Sequence, residues 1–175
     1  MNINDLVQKV IQEAKLSDSL IHWVDHWQRV ERNGVYLCQF NQADQLVVQL
    51  FSLFHDCKRE NDHRDLEHGP RAETYLRGIK NLIPVTSSQF EDLCIACRTH
   101  TIGGTPENIT IATCWDADRM DIGRAGIVPH EDFMTNDEAK RITRLDKYET
   151  LSEFEYKGIF SVEWFFYFLI RCLTT

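Results

Sequence analysis

The sequence places histidines and aspartates, residue types that often bind divalent metal ions, at separate points along the chain. His22 and His26 are four residues apart in IHWVDHWQRV, a spacing that would put them on one face of a helix. The dipeptide His55-Asp56 follows an apolar segment in LFHDCKRE. Imidazole and carboxylate ligands together suit a divalent ion that keeps open positions for water and substrate. The question is whether these distant residues converge on one site.

Further residues of the same types lie downstream. His68 stands in HGPRA, His100 ends CRTH, and DADRMD contains Asp116 and Asp118. With seven histidines in an acidic chain, a single His-Asp pair arises easily by chance. The order of all these groups on successive predicted helices therefore carries the prediction of a metal site.

The apolar residues predict that helices position these side chains. They recur at spacings of three and four within residues 6–14, 46–54 and 90–97. Pro70 suits the first turn of one helix, and Ser88 with Glu91 has the pattern of a capping box for another. Gly34 and Gly78 are expected at helix ends. We predict an all-α bundle of about seven or eight helices.

Length and composition predict a single domain over residues 1–175. The segment GVYLCQF, residues 34–40, is the one strand candidate. The aromatic segment at 159–173 is expected to be a final helix packed into the core. The segments GGTPEN and GIVPHEDFMTND are interpreted as ordinary connections.

Charge and cysteine content limit the partners and the compartment. A net charge of −8 with scattered basic residues argues against a long nucleic acid as partner. No apolar run reaches the roughly 20 residues of a membrane span, and charged residues interrupt the N-terminal segment where a signal peptide would be apolar. We therefore expect a cytoplasmic protein without a membrane partner.

The six cysteines of the chain, including Cys94 and Cys97, are expected to be reduced, buried thiols. Whether it forms a homo-oligomer is left open.

The ligand-type residues resemble the signature H…HD…D of the HD superfamily of metal-dependent phosphohydrolases. His26 in HWQRV, His55-Asp56 and Asp118 in DADRMD match that order and rough spacing within about residues 20 to 130. The resemblance implies an HD-domain helical bundle in which these four residues hold a divalent ion. It also implies that His55 and Asp56 are catalytic. The metal, among Mn, Fe, Co, Ni and Mg, is not specified.

The resemblance extends to neighbouring residues. His68 and His100 are similar to the extra histidines with which some HD branches hold a second metal; a phosphate contact or a structural role is the alternative. Asp116 and His22 compete with the residues assigned as ligands and are expected to support those ligands by hydrogen bonds. His63 and His130 are interpreted as solvated loop residues.

Cations adjoin the predicted ligands in an otherwise acidic chain. Lys58 and Arg59 follow Asp56, and Arg119 follows Asp118. This placement predicts that at least one of the three contacts a substrate phosphate. Salt bridges within the chain are the alternative.

The resemblance implies a metal-dependent phosphohydrolase that acts on a small phosphorylated metabolite, such as a nucleotide or a related phosphate ester. A bound ion would lower the pKa of a water molecule and stabilise charge on the phosphoryl group. A two-metal phosphodiesterase is an alternative, although no GYP motif follows the HD dipeptide. A different alternative is a non-catalytic HD module that is stabilised by a bound metal and senses a nucleotide. An HD-type oxygenase, which would need iron, is a third.

Overall fold

The structure, a computed structural model, describes residues 2–15, 19 and 22–160. In this part of the chain eight α-helices and three short 3-10 helices form the fold, and no strand occurs. The α-helices are α1 (Ile3–Glu13), α2 (Val24–Leu37), α3 (Gln45–Phe54), α4 (His68–Gly78), α5 (Ser87–Thr99), α6 (Ile109–Arg119), α7 (Asp137–Leu145) and α8 (Glu149–Ser152). The predicted all-α bundle of seven or eight helices is confirmed. Of the predicted final helix at 159–173, residues 161–173 lie outside the described residues.

Helix α3 is the centre of the bundle. Every residue from Val47 to Phe54 is buried, so this helix is covered on all its faces. It packs against α1, α2, α5 and α6. Because His55 and Asp56 directly follow α3, they lie in the interior of the bundle and not at its surface.

Gly34 allows α2 to approach its neighbours closely. A Cβ atom at this position would lie 2.3 Å from Val48 Cγ1 and 3.4 Å from Ala117 Cβ. The prediction that Gly34 ends a helix is wrong, because α2 continues to Leu37. The strand candidate at residues 34–40 is also wrong: it is helical as far as Leu37 and then forms a turn. The close packing of α2 on α3 and α6 is the physical reason for glycine here.

A capping box and a first-turn proline occur at helix starts as predicted, but the capping box is formed by other residues than the predicted pair. Helix α5 has Thr86 as its N-cap: the Thr86 side chain accepts from the Gln89 N–H, and the Gln89 side chain accepts from the Thr86 N–H. The capping box is therefore Thr86 with Gln89, and the prediction of Ser88 with Glu91 is wrong. Pro70 lies in the first turn of α4, as predicted.

The described thiols are buried as predicted, except Cys38, which is half-buried. The described cysteines are free thiols: Cys38, Cys57, Cys94, Cys97 and Cys114. Both cysteines of the C-x-x-C pair are buried in α5. Among the described residues, no helix combines the length and the apolar character needed to cross a membrane.

Candidate metal centre

Helix ends bring the four predicted ligands together. His26 lies in the first turn of α2, His55 follows the last residue of α3, and Asp118 lies in the last turn of α6. The Nε2 atom of His26 is 3.0 Å from Nε2 of His55 and 3.3 Å from Oδ1 of Asp118. The Oδ2 atom of Asp56 is 3.7 Å from each of these two Nε2 atoms. The four side chains thus face one small volume, and their role as ligands stays a prediction.

The second oxygen of Asp56 faces another pair of histidines. Its Oδ1 atom is 3.1 Å from Nε2 of His68 and 3.9 Å from Nε2 of His100. The two Nε2 atoms are 2.8 Å apart. Potential ligand atoms of these three residues all lie within 4.8 Å of one another, as do those of His26, His55 and Asp118. Asp56 therefore stands between two groups, each of which could hold an ion.

Hydrogen bonds to backbone carbonyls fix the orientation of three of the four histidines. On the Nδ1 side, His55 contacts the carbonyl of Ser52 at 3.1 Å and His100 contacts the carbonyl of Cys97 at 2.7 Å. A carbonyl only accepts, so Nδ1 carries the proton in both rings. The Nδ1 atom of His68 likewise donates to a backbone carbonyl, that of Asp65. In each case Nε2 is the atom that faces the cluster.

Burial keeps two of these rings neutral. It lowers the pKa of His55 to about 3, and burial together with the charge of His68 lowers the pKa of His100. Near neutral pH their Nε2 atoms therefore carry a lone pair and no proton. Neutral imidazoles whose other nitrogen is held by a hydrogen bond are the usual histidine ligands of metals.

Neighbouring ionisable groups shift the pKa values of Asp56, Asp118 and His26. Burial alone would raise the pKa of Asp56, but His55, His22 and His68 hold it well below its usual value. The pKa of Asp118 is also lowered, because His26, His55 and Arg124 outweigh its burial. For His26, burial would lower the pKa, yet its carboxylate partners raise it. The carboxylates are thus ionised near neutral pH, and the donor set fits a divalent ion.

His22 and Asp121 each contact one residue of the cluster. His22 lies before the start of α2 and so does not share a helix face with His26 as predicted, but its Nδ1 is 3.0 Å from Oδ2 of Asp56. Asp121, which the sequence interpretation did not assign, has Oδ2 at 2.8 Å from Nδ1 of His26. It also accepts from Nε of Arg29 at 2.7 Å. The carboxylate that orients His26 is therefore Asp121.

Asp116 has a different role from the predicted one. It is fully buried, and its carboxylate accepts from the backbone N–H groups of Thr135 and Asn136 and from the Asn136 side chain, at 2.7 to 3.0 Å. Burial raises its pKa against the effect of these hydrogen bonds. Asp116 therefore ties the segment that precedes α7 to helix α6, and the prediction that it supports a ligand directly is replaced by this anchoring contact.

The three predicted phosphate contacts differ in position. Lys58 turns towards α1: its Nζ donates to the carbonyl of Glu13 at 2.7 Å and lies 3.7 Å from the centre of the Tyr75 ring. Arg59 faces the cluster, with Nη1 3.6 Å from Oδ1 of Asp56. Arg119 donates through Nη1 to two backbone carbonyls, so a large part of its hydrogen-bonding capacity holds the chain itself.

Arg124 is a cation at the cluster that the sequence interpretation missed. Its Nη2 is 3.7 Å from Oδ1 of Asp118 and 3.4 Å from Nδ1 of His22. Arg59, Arg119 and Arg124 all line a cavity of about 570 Å³ that opens onto the cluster. This volume is within the usual range for a small-molecule site. The cavity therefore combines ligand-type residues with cations.

Gly69 positions His68 against His100. A Cβ on Gly69 would lie 2.6 Å from the carbonyl oxygen of Cys97 and 2.7 Å from that of Arg98. These are backbone atoms at the end of α5, which cannot rotate away. Only glycine lets the start of α4 come so close, and this contact places the two histidines next to each other at Oδ1 of Asp56.

We expect Gly69→Ala to push α4 away from α5. The free energy of unfolding should fall by about 1–3 kcal/mol, the usual cost of overpacking, and His68 should leave its position beside His100. Denaturant unfolding and metal content would measure the two effects. Gly78→Ala, in the same helix but with open space around the added atom, is the control. Equal stabilities of the two variants would contradict the role given to Gly69.

Comparison with known proteins supports the fold. No protein-family model matches the sequence, and no curated protein matches it. The structure is similar to the crystal structure of a predicted HD superfamily hydrolase from an uncultured Thermotogales bacterium, with a TM-score of 0.63 and 24% sequence identity over 86% of each chain. The fold that the H…HD…D resemblance implied is confirmed.

Proposed function

We propose that this chain, which has the fold of a predicted HD superfamily hydrolase, is a metal-dependent phosphohydrolase. Its ligands would be His26, His55, Asp56 and Asp118, and its substrate a small phosphorylated metabolite such as a nucleotide or a related phosphate ester. The observation that carries the proposal is the approach of the His26 and His55 Nε2 atoms to 3.0 Å beside two ionised carboxylates. A divalent cation bound by these Nε2 atoms would also offset the charge of the buried carboxylates.

The residues of the chain supply position and charge. A bound divalent ion would supply an activated water and would stabilise negative charge on the phosphoryl group. Asp118, with 20% of its side chain exposed against 3% for Asp56, is the carboxylate that a water entering the cavity meets first. It is placed to accept a hydrogen bond from that water. Asp121 holds the His26 ring so that Nε2 stays directed at the cluster.

Arg59 and Arg124 are the cations best placed for the phosphate. Both line the cavity, and their guanidinium groups lie within 4 Å of a carboxylate oxygen of the cluster, Arg59 beside Asp56 and Arg124 beside Asp118. A planar guanidinium can donate to two phosphate oxygens at once. The predicted contact through Lys58 loses support, because the Lys58 ammonium lies against α1.

We expect Arg59→Met to lower kcat/KM for phosphate esters by about 10- to 100-fold while the metal content stays unchanged, because a charge-assisted contact is lost and the ligands remain. Lys58→Met is the matched control, since the two residues are adjacent and carry the same charge. Its kcat/KM should stay within about twofold of the wild type. A larger loss in Lys58→Met than in Arg59→Met would contradict this assignment of the phosphate contact.

The proposal is tested by metal analysis followed by a panel of phosphate monoesters and diesters with added Mn, Co, Ni or Mg. Turnover that a chelator abolishes supports the phosphohydrolase. Tight nucleotide binding without turnover under any metal would instead favour the sensing module. The group formed by Asp56, His68 and His100 favours the version of the enzyme with two ions, in which Asp56 would serve both.

A further inference from the structure

Part of the cavity lining is apolar. Ile127, Val128 and Phe133 line it although 54%, 86% and 64% of their surfaces are exposed. Ile122 and Pro129 also line the cavity. Single exposed apolar residues are common on proteins, but several large ones that face one cavity mark a binding surface. We call Ile127, Val128, Pro129 and Phe133 the apolar wall.

The end of the wall is held in place by buried contacts. Arg119 donates through Nη1 to the carbonyl of Phe133 at 2.6 Å and to the carbonyl of Gly104 at 3.0 Å. Met134 is 2% exposed and belongs to the core around α7. The next two residues donate to the fully buried Asp116. The backbone is thus fixed at Phe133 and at the three residues that follow it, so the exposure of this ring does not come from a loose chain.

Charged residues line the same cavity. Asp56 and Asp118 of the cluster are among them, with the guanidinium groups of Arg59 and Arg124 beside them. An occupant that complements both kinds of lining carries a negatively charged group and an apolar body. Burying such a body against side chains that are otherwise exposed to water stabilises the complex by the hydrophobic effect.

We propose that the apolar wall receives the organic part of the substrate and that the substrate is a phosphate monoester of an apolar, ring-containing alcohol. Phe133 is the residue that determines this preference, because its ring can stack on a flat partner. Arg119 and Asp116 are positioning residues that act through the backbone of the wall. The inference rests on the proposed phosphohydrolase function and names its substrate class.

The test compares 2-naphthyl phosphate with phenyl phosphate, two aromatic esters with leaving groups of similar acidity, in the presence of the metal that the protein prefers. The wild type should favour the larger ester in kcat/KM by about tenfold, because the second ring buries additional apolar area. Phe133→Ser should lose most of this preference and should change kcat/KM for glycerol 2-phosphate by less than about twofold. Because the ring is largely exposed, its removal should leave the fold stable.

The control variant is Phe40→Ser, which removes a phenylalanine that is 56% exposed and lies outside the cavity. It should keep the wild-type preference.

Calorimetric binding of 2-naphthylmethylphosphonate, compared with methylphosphonate, provides a measurement that does not depend on turnover. If both esters turn over equally well in wild type and Phe133→Ser, the wall inference is overturned and the phosphohydrolase stands. If neither ester turns over but the naphthyl phosphonate binds wild type about tenfold more tightly than Phe133→Ser, the wall stands without the hydrolase. Equal binding of that phosphonate to both proteins, without turnover, overturns the wall.

Discussion

His55→Ala is expected to abolish metal binding and to lower kcat/KM for phosphate esters by a factor on the order of 1,000, the loss typical of removing a metal-ion catalyst. The Nε2 atom of His55 lies 3.0 Å from that of His26 and 3.8 Å from Oδ1 of Asp118, so its loss leaves an incomplete donor set. The helical content should stay close to that of the wild type. Metal analysis after dialysis, far-UV circular dichroism and ester hydrolysis measure the three effects.

The control for this prediction is His63→Ala. His63 is exposed, and its contact with Arg59 runs through the backbone carbonyl, which alanine retains. Removing it should leave metal content and activity unchanged. His55→Gln, which keeps more of the side-chain volume in the buried site, separates loss of the ligand from loss of packing. If His55→Gln retains a full complement of tightly bound metal, the proposed centre is wrong.

The sequence predicted the parts of the structure that depend on local periodicity and on ligand order. The spacing of apolar residues predicted α1, α3 and α5, and a mostly apolar segment before His55-Asp56 placed this pair at the end of a buried helix. Helix ends could be predicted less well. Gly34 was expected to end α2, but its function depends on Val48 of another helix, and no local pattern carries that contact.

The roles within DADRMD show a limit that helix geometry explains. Asp116 and Asp118 are two positions apart, so they lie on different faces of α6 and only one of them can face the cluster. Asp121 is three positions beyond Asp118, a spacing that returns to the same face, and it contacts His26. This spacing was a usable signal for Asp121 that the motif-based interpretation passed over.

The cavity walls could not be predicted from local sequence. The segment GIVPHEDFMTND was interpreted as an ordinary connection, because its proline and glycine content indicates a loop and nothing in it indicates what the loop covers. Its position depends on contacts with Asp116 and Arg119, which are distant in sequence. Arg124 was missed for a local reason: its proximity to Asp118 arises from the 3-10 helix Ile122–Ala125 after α6, which no sequence pattern indicated.

The last prediction concerns the number of ions. We expect wild-type protein to bind two divalent ions per chain at saturation, because Asp56 presents one oxygen to His26 and His55 and the other to His68 and His100. His100→Ala should bind one ion and lose about 10- to 100-fold in kcat/KM, since the group around His26 keeps its own donors. Isothermal titration with Mn and metal analysis measure the stoichiometry.

The control for the second ion is His130→Ala, which removes a histidine from the rim of the same cavity, where its ring contacts Asp132. This variant should keep both ions, so a fall in stoichiometry in His100→Ala but not in His130→Ala identifies His100 as a ligand. His68 and His100 then act as a pair whose Nε2 atoms, 2.8 Å apart, share one cation with Asp56. If the wild type saturates at one ion and His100→Ala retains full activity, the pair instead stabilises the fold, and a single ion held by the group around His26 accounts for the chemistry.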